Sequence, residues 1–418
     1  MKKKRILFLS YDGLTDQLGQ SQIIPYLSGL VKKGFTITII SCEKNDPFIR
    51  NGNEIKLILE NANIFWNPLI YHKSPSVFST IYDVSQMKKA AIRLHQIQPF
   101  DIVHCRSYIT ALVGLHFKRK KNIPFIFDMR GFWADERIEG KIWSLKNPVH
   151  RIVYKYFKKK EKEFLNESDA IVSLTDSAKK TILTWNLPQV DSNKIHVIPC
   201  CADLGLFNFE NTSPERLNTL RTETSIPEDS YSISYLGAIG TWYMLEEMLR
   251  FYARLRNKYV SSKFLIITGE KPDLIFNTAN KLNISTDGII IRKAERTDVP
   301  IYLSLCSFSV FFIKPVFSKT ASSPTKLGEI LGMGIPVICN SGIGDVDSQI
   351  RNSNAGIVVD DFSTESFDQV INQLTTLIKS DRNIIRKIAI ENYSLEGGIV
   401  KYEEIYILAS VFTTTASL

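Results

Sequence analysis

Ser322-Ser-Pro-Thr-Lys-Leu-Gly-Glu-Ile-Leu-Gly-Met-Gly-Ile-Pro-Val-Ile338 contains the pattern that decides the fold: a capped helix, a glycine stop and a buried strand. Ser323 and Pro324 can cap and begin a helix, with proline at its first position. Gly334 ends it, and Pro336–Cys339 runs on as an apolar strand. Unbroken apolar runs of this length are read as strands covered by helices on both faces. Lys326 falls in the first helical turn, an unfavourable place for a cation unless an anion binds nearby. Glu329 lies one turn below Thr325, where an acidic side chain can hold ribose hydroxyls. On spacing alone, an ordinary strand–helix–strand unit with a chance Ser-Pro cap explains the segment equally well.

The same alternation extends outward through most of the chain. Ile6–Ser10, Thr36–Ser41, Asp101–Cys105, Phe125–Asp128, Ala170–Leu174 and His196–Pro199 form one set of predicted strands. Ser232–Leu236, Phe264–Thr268, Gly288–Ile291, Phe308–Ile313, Pro336–Cys339 and Gly356–Val359 form a second. Strands alternating with helices imply parallel sheets. The polar stretch Asn208–Ser230, with Pro214 and Pro227, lacks a strand and is read as the connection between domains. The expected class is α/β, with two Rossmann-like doubly wound domains, 1–207 and 208–394, facing a central cleft. A final helix in 395–418 is expected to pack back on the first domain. Ligands of such sheets bind outside the carboxyl ends of the strands, so the chemistry is sought in the loops that follow them.

The chain has 418 residues, 44% hydrophobic and 23% charged, a balance that supports ordinary buried cores without staples. Its six cysteines form no CxxC and no paired spacing, which argues for a reducing compartment and against zinc or a disulfide framework. No metal and no cofactor are expected. The apolar run Ile6–Leu9 is too short for a signal peptide. No run reaches the ~18 residues of a membrane span, so the expected location is the cytoplasm. The net charge of +9 suits nucleic acid, an anionic membrane face or phosphorylated substrates, or simply reflects a lysine-rich background. No nucleic-acid recognition motif is present, and nucleic acid is not an expected partner.

Ser323-Pro-Thr-Lys-Leu-Gly-Glu followed by Gly334-Ile-Pro-Val-Ile resembles the donor-site segment of GT-B glycosyltransferases, especially glycosyltransferase family 4. The resemblance covers nearly the whole chain and implies that Glu329 binds the ribose of a nucleotide sugar. The family's earlier glutamate, with seven residues between it and that one, is replaced here by Ala321. A glycine-bearing loop, Tyr235-Leu-Gly-Ala-Ile-Gly-Thr-Trp-Tyr, follows the first strand of the second domain. Backbone N–H groups of Gly237, Gly240 and Thr241 could cradle phosphate there. Many members carry basic residues in this loop, where this chain has Ala238 and Trp242-Tyr243. Positive charge would then come from Lys319 or Lys326, and Ser322, Ser323, Pro324 and Thr325 complete the donor-binding set. In Asp12-Gly-Leu-Thr-Asp-Gln-Leu-Gly-Gln-Ser-Gln, the resemblance makes Gly19 the glycine that lets backbone approach the donor. Ile195-His-Val-Ile-Pro-Cys-Cys-Ala-Asp-Leu is similar to the stretch that closes the family's first domain, and Cys200 and Cys201 are read as structural.

Phe127-Asp-Met-Arg-Gly-Phe-Trp-Ala-Asp-Glu-Arg runs from a buried strand into clustered charge. Arg130 takes the position of a family histidine near the reacting sugar, and Asp128 that of a threonine. Arginine can hold a leaving diphosphate bidentately but cannot act as a base. The structural alternative is an Arg130–Asp128 or Arg130–Asp135 pair. His104, followed by Arg106 after another strand, is read as catalytic or equally as a structural hydrogen-bonding residue.

Lys141, Lys146, Arg151, Lys155, Lys158, Lys159, Lys160 and Lys162 accompany Trp143, Tyr154, Tyr156 and Phe157, and Val153, Tyr156, Phe157 and Phe164 make an apolar helix stripe. Either the stripe packs in the core under a solvated face, or Lys155–Lys162 attaches the protein peripherally to the anionic inner face of the plasma membrane. The resemblance implies retaining, metal-free transfer of a hexosyl or N-acetylhexosaminyl group. The donor would be UDP- or GDP-linked, and the acceptor a hydroxyl of a lipid-linked glycan in bacterial capsule, exopolysaccharide or O-antigen synthesis. A GT-B epimerase or hydrolase, or a non-catalytic sugar-nucleotide-binding protein, is the alternative.

Overall fold

The computed structural model describes residues 4–415, with side chains described to Ser410. The chain forms two compact units, one of residues 1–199 and 395–418, the other Cys200–Ser394. Among the described residues, no helix is long and apolar enough to cross a membrane.

The first unit holds a parallel sheet of seven strands, β1 (Arg5–Ser10), β2 (Thr36–Glu43), β3 (Phe65–Ile70), β4 (Ile102–Arg106), β5 (Phe125–Asp128), β6 (Ala170–Ser173) and β7 (Ile195–Val197), in the order β3-β2-β1-β4-β5-β6-β7. The chain winds outward from β1 in both directions, so the switch point lies between β1 and β4. The apolar runs of β1, β4, β5 and β6 are buried throughout or nearly so. β3 was not legible as a strand. It contains Pro68 and mixes exposed with half-buried residues, none of them buried. Both features are tolerated because it is the sheet edge, where one row of backbone groups needs no partner strand.

The second unit has six parallel strands, β8 (Ile233–Leu236), β9 (Phe264–Ile267), β10 (Ile289–Arg292), β11 (Phe308–Phe311), β12 (Val337–Asn340) and β13 (Gly356–Val359), ordered β10-β9-β8-β11-β12-β13. Its switch point lies between β8 and β11. Both sheets are flanked by helices, giving two Rossmann-like domains.

The units divide at Pro199/Cys200, not at the polar stretch after residue 207. Phe207 is fully buried in the core of the second unit. The guanidinium of Arg386 donates to the carbonyls of Leu204 and Phe207, and the Ala202 N–H donates to the Tyr393 carbonyl. These bonds draw Cys200–Phe207 into that unit. The polar stretch itself contains a helix, Pro214–Thr224, capped by Ser213 and anchored by buried Leu220. The last helix, Leu395–Thr415, packs in the first unit against the helix Ile24–Lys32. A Cβ on Gly29 would lie 2.2 Å from Ile399 Cδ1, so the two helices approach as closely as glycine allows.

Candidate functional site

The second unit gathers most of the predicted donor-site residues around the carboxyl end of β8. Tyr235, buried on β8, donates its hydroxyl to the Ala238 carbonyl at 2.5 Å. The chain then turns at Gly237, whose φ of +122° favours glycine. A Cβ at Gly237 would lie 2.9 Å from Lys326 Nζ, so the loop and the helix Thr325–Gly332 meet at that point. Gly240 and Thr241 form an exposed turn. The turn is clipped to the end of β11, because the Met244 N–H donates to the Phe312 carbonyl and the Lys314 N–H to the Trp242 carbonyl.

Trp242 and Tyr243, which stand where basic residues were sought, cover two lysines instead. Lys326 Nζ lies 3.7 Å from the centroid of the Tyr243 ring and 4.3 Å from that of Tyr235, and donates to the Tyr235 hydroxyl at 3.2 Å. Lys319 Nζ lies 3.8 Å from the Trp242 centroid. Both lysines are 6% exposed. Ring faces attract ammonium groups, most strongly when water is excluded. Burial nevertheless pushes the Lys326 ammonium well below the ordinary lysine range, with Glu329 opposing the shift.

Glu329 is also 6% exposed. Its Oε1 accepts from Arg296 Nη1 at 2.8 Å. Burial raises the carboxyl pKa, while Arg296 and then Lys326 hold it down. The Arg296 guanidinium sits 5.2 Å from the Phe207 ring centroid. Arg296 was missed in the sequence, yet it follows β10 at a strand's carboxyl end, where a basic run (Arg292, Lys293, Arg296) is a usable signal. Ala321 is buried at 1% exposure, so the position of the family's first glutamate offers no carboxylate.

Ser323 does not cap the helix. Its Oγ accepts from the Cys200 N–H at 3.1 Å, and Pro324 occupies the cap position without a side-chain bond. The serine is spent fixing the start of the second unit. Thr325, not Pro324, is therefore the first helical residue, and Ser322 precedes the cap in extended backbone.

In the first unit, Asp128 ends β5 and is 1% exposed. It receives the Tyr402 hydroxyl at 3.0 Å and lies 3.9 Å from both Arg106 Nη1 and Arg130 Nη1. Burial raises the Asp128 pKa, but Arg130, His104 and Arg106 together outweigh it and hold the carboxyl below its ordinary range. His104 is enclosed. Its Nδ1 pairs with the Tyr406 hydroxyl at 2.7 Å, Nε2 lies 3.6 Å from Asp128, and burial lowers its pKa. The structural reading of His104 therefore fits better than a substrate-facing one. Tyr402 and Tyr406 come from the last helix and could not be paired with Asp128 or His104 from the sequence. Arg130 differs from its neighbours: its side chain is 14% exposed and its backbone is left-handed, with φ +57° followed by Gly131 at +132°. Such strain at a strand's carboxyl end points to function. Asp135, the other candidate partner of Arg130, instead binds the Tyr154 hydroxyl and Lys158, each at 2.8 Å.

Gly19 packs against its own loop. A Cβ there would lie 2.4 Å from the Gly13 carbonyl oxygen and 2.5 Å from Leu14 Cα. The glycine lets the loop close on itself, and its missing side chain makes room for backbone. Glu43 holds that loop, accepting from the Leu14 N–H at 2.8 Å, the Thr15 N–H at 3.1 Å and the Thr15 hydroxyl at 2.7 Å.

The basic helix Pro148–Glu167 divides its residues between core and surface. Phe157 and Phe164 are buried, and Lys158 bridges Asp135 and Glu161 while Lys160 pairs with Glu163. Val149, Ile152 and Tyr156 are exposed at 50%, 67% and 45%. Lys141, Lys146, Arg151, Lys155, Lys159 and Lys162 are exposed around them, and residues 140–162 include no exposed acidic side chain.

Residues 26–206 match the family described as Glycosyltransferase Family 4, and residues 218–390 match Glycosyl transferases group 1. No curated protein matches the chain. Among solved structures, it is similar to a glycosyltransferase from Rickettsia africae at 18% identity and TM-score 0.71, over 98% of this chain and 99% of that one. It is similar to HepE of Anabaena, solved with UDP and glucose, at 12% identity and TM-score 0.68, over 96% and 98%. WaaG, a glycosyltransferase of lipopolysaccharide biosynthesis, matches at 14% identity and TM-score 0.65, over 94% and 97%.

Proposed function

The chain belongs to the GT-B glycosyltransferases of the family 4 type, and from that premise we propose that it moves a sugar from a UDP- or GDP-linked donor to a hydroxyl of a lipid-linked glycan. The setting is bacterial capsule, exopolysaccharide or O-antigen synthesis, with retention and without a metal. The second unit is assigned to the nucleotide sugar and the first to the acceptor.

The observation that carries this reading is the placement of Lys326, buried against Gly237 and two tyrosines, one turn before buried Glu329 and its half-exposed partner Arg296. Lys326, Lys319 and the backbone N–H groups of Gly237–Thr241 hold the diphosphate, and Glu329 takes the ribose hydroxyls. Arg130, presented on a strained turn, is assigned to phosphate. In the displacement, the C1–O bond to the diphosphate breaks as the acceptor oxygen attacks the same face. The departing phosphate oxygen takes the acceptor's proton. The protein's part is to position the reactants and stabilise charge on the leaving group. UDP bound to HepE and the lipopolysaccharide role of WaaG support the donor class and the pathway class.

Thermal-shift screening of nucleotide sugars identifies the donor, because a ligand of the native state raises its stability. With the best nucleoside diphosphate in calorimetry, Glu329→Ala is expected to weaken binding about tenfold or more, the value of a hydrogen bond to a charged group. Unchanged affinity removes Glu329 from the ribose role.

We assign peripheral attachment at the inner membrane face to the exposed part of the basic helix. Lys158 and Lys160 are excluded because acidic partners already neutralise them. Changing Lys155, Lys159 and Lys162 together to Gln is expected to weaken partitioning onto anionic vesicles, read by sedimentation, on the order of a hundredfold, at about 1 kcal/mol per basic residue near the surface. Equal sedimentation of variant and parent would dismiss the attachment.

A further inference from the structure

At the edge of the first sheet, three residues from separate segments meet on the carboxyl side of the strands. Tyr11 follows β1, His72 follows β3, and Asp83 comes from the helix Ser76–Ile97. Asp83 is 2% exposed. Its Oδ1 lies 2.6 Å from His72 Nδ1, and its Oδ2 accepts the His72 main-chain N–H at 3.1 Å and the Tyr11 hydroxyl at 2.9 Å. A carboxylate at Nδ1 favours the tautomer with the proton there, in which the neutral ring offers Nε2 as an acceptor. The imidazole is 43% exposed, and no described residue bonds to Nε2.

Aromatic and apolar groups surround this fixed acceptor. The Tyr82 ring stands edge-on to the imidazole, with centroids 5.1 Å apart. The Tyr71 ring packs on Tyr11 at 5.5 Å. Tyr82, Ile81 and Phe78 are exposed at 51%, 61% and 74%, and their spacing puts them on one helix face. Pinning the edge strand needs only the main-chain and Tyr11 bonds to Asp83. It does not account for an oriented, exposed imidazole set among exposed rings.

The geometry points to a carbohydrate subsite at His72, in which Nε2 accepts a hydrogen bond from a pyranose hydroxyl while Tyr82 covers the sugar's apolar face. Directional polar groups beside aromatic rings are what a sugar, with hydroxyl edges and C–H faces, requires. The buried Asp83 carboxylate behind the ring disfavours a phosphate, and Lys73 is the one adjacent cation in sequence. β3 lies two strands from β1, or roughly 10 Å along the rim. The subsite therefore lies beside the β1/β4 crevice and suits a sugar of the acceptor glycan that does not itself react. This assignment rests on the glycan-acceptor reading above.

Saturation-transfer NMR on the intact protein tests it, with methyl and octyl glycosides of glucose, galactose, mannose, rhamnose and N-acetylglucosamine as probes. At least one methyl glycoside is expected to receive transfer. His72→Ala and Tyr82→Ala should each weaken its binding roughly five- to tenfold, the worth of one neutral hydrogen bond or ring contact. UDP and GDP affinities should stay unchanged in both variants, and thermal melts check that both remain folded. Transfer to octyl glycosides alone, abolished by Phe78→Ser, overturns the sugar assignment in favour of an alkyl-binding surface. No transfer to any probe, or equal transfer in the His72→Ala variant, overturns it outright. Failure of the nucleotides to bind the parent protein would instead count against the donor reading, so the two failures are distinguishable.

Discussion

Lys326→Met is expected to lower nucleoside diphosphate affinity about a hundredfold and kcat/KM by about a thousandfold. The first figure corresponds to ~2.7 kcal/mol, within the range for a hydrogen bond to a charged partner. The second adds the loss of one group that stabilises charge developing on the leaving diphosphate. Methionine keeps the length and apolar contacts of the side chain, so the Tyr235 and Tyr243 rings retain a neighbour and the fold should survive. A proton accompanies the effect. Burial holds the free Lys326 ammonium well below its ordinary range, whereas a bound diphosphate raises it again. Binding therefore draws a proton from solution, and affinity falls as pH rises above the free-state value. Calorimetry in paired buffers of different ionisation enthalpy, run at a series of pH values, should show this uptake in the parent protein and none in the Met variant. A heat independent of buffer in the parent would remove Lys326 from the diphosphate.

The second large effect concerns stability. Asp128→Ala leaves Arg106, whose side chain is 4% exposed, and Arg130 without their shared carboxylate, and removes the acceptor for Tyr402. Breaking a buried charge cluster in this way typically costs about 3–5 kcal/mol. The pH dependence has a definite sign. A carboxyl held below its ordinary range contributes stability above the unfolded value near 3.9, and loses it as pH falls through the lower folded value. The gap between parent and variant, read from urea midpoints, should be full at neutral pH and shrink below about pH 4. Equal midpoints at pH 7 would show that Arg106 and Arg130 find adequate partners without Asp128.

Lys326 and Glu329 could be read from the sequence because a helix start, a strand and a glycine stop all lie within one short segment. Their partners could not. Arg296 lies 33 residues upstream of Glu329 and reaches it although β9 and β8 separate β10, which it follows, from β11, which precedes the helix of Glu329. The replacement of loop cations by Trp242 and Tyr243 looked like a loss. In three dimensions those rings cover lysines supplied from elsewhere, a relation that spacing does not encode. Gly19 is legible only in part. A glycine in a loop signals close approach, but the sequence does not say whether backbone or ligand makes it. β3 was hidden by Pro68, which a central strand would exclude and an edge strand accepts.

Tyr402 and Asp128 are 274 residues apart in the chain. A ribosome adding roughly 5–20 residues each second exposes Asp128 about 14–55 s before Tyr402 exists. During that interval the first sheet can pair its strands, but His104 lacks Tyr406, and Asp128 carries its arginines without the tyrosine that completes its shell. The nascent first unit is thus a sheet with an open polar seam. It closes only after the whole second unit has been synthesised, so completion of the earlier unit waits on the final helix.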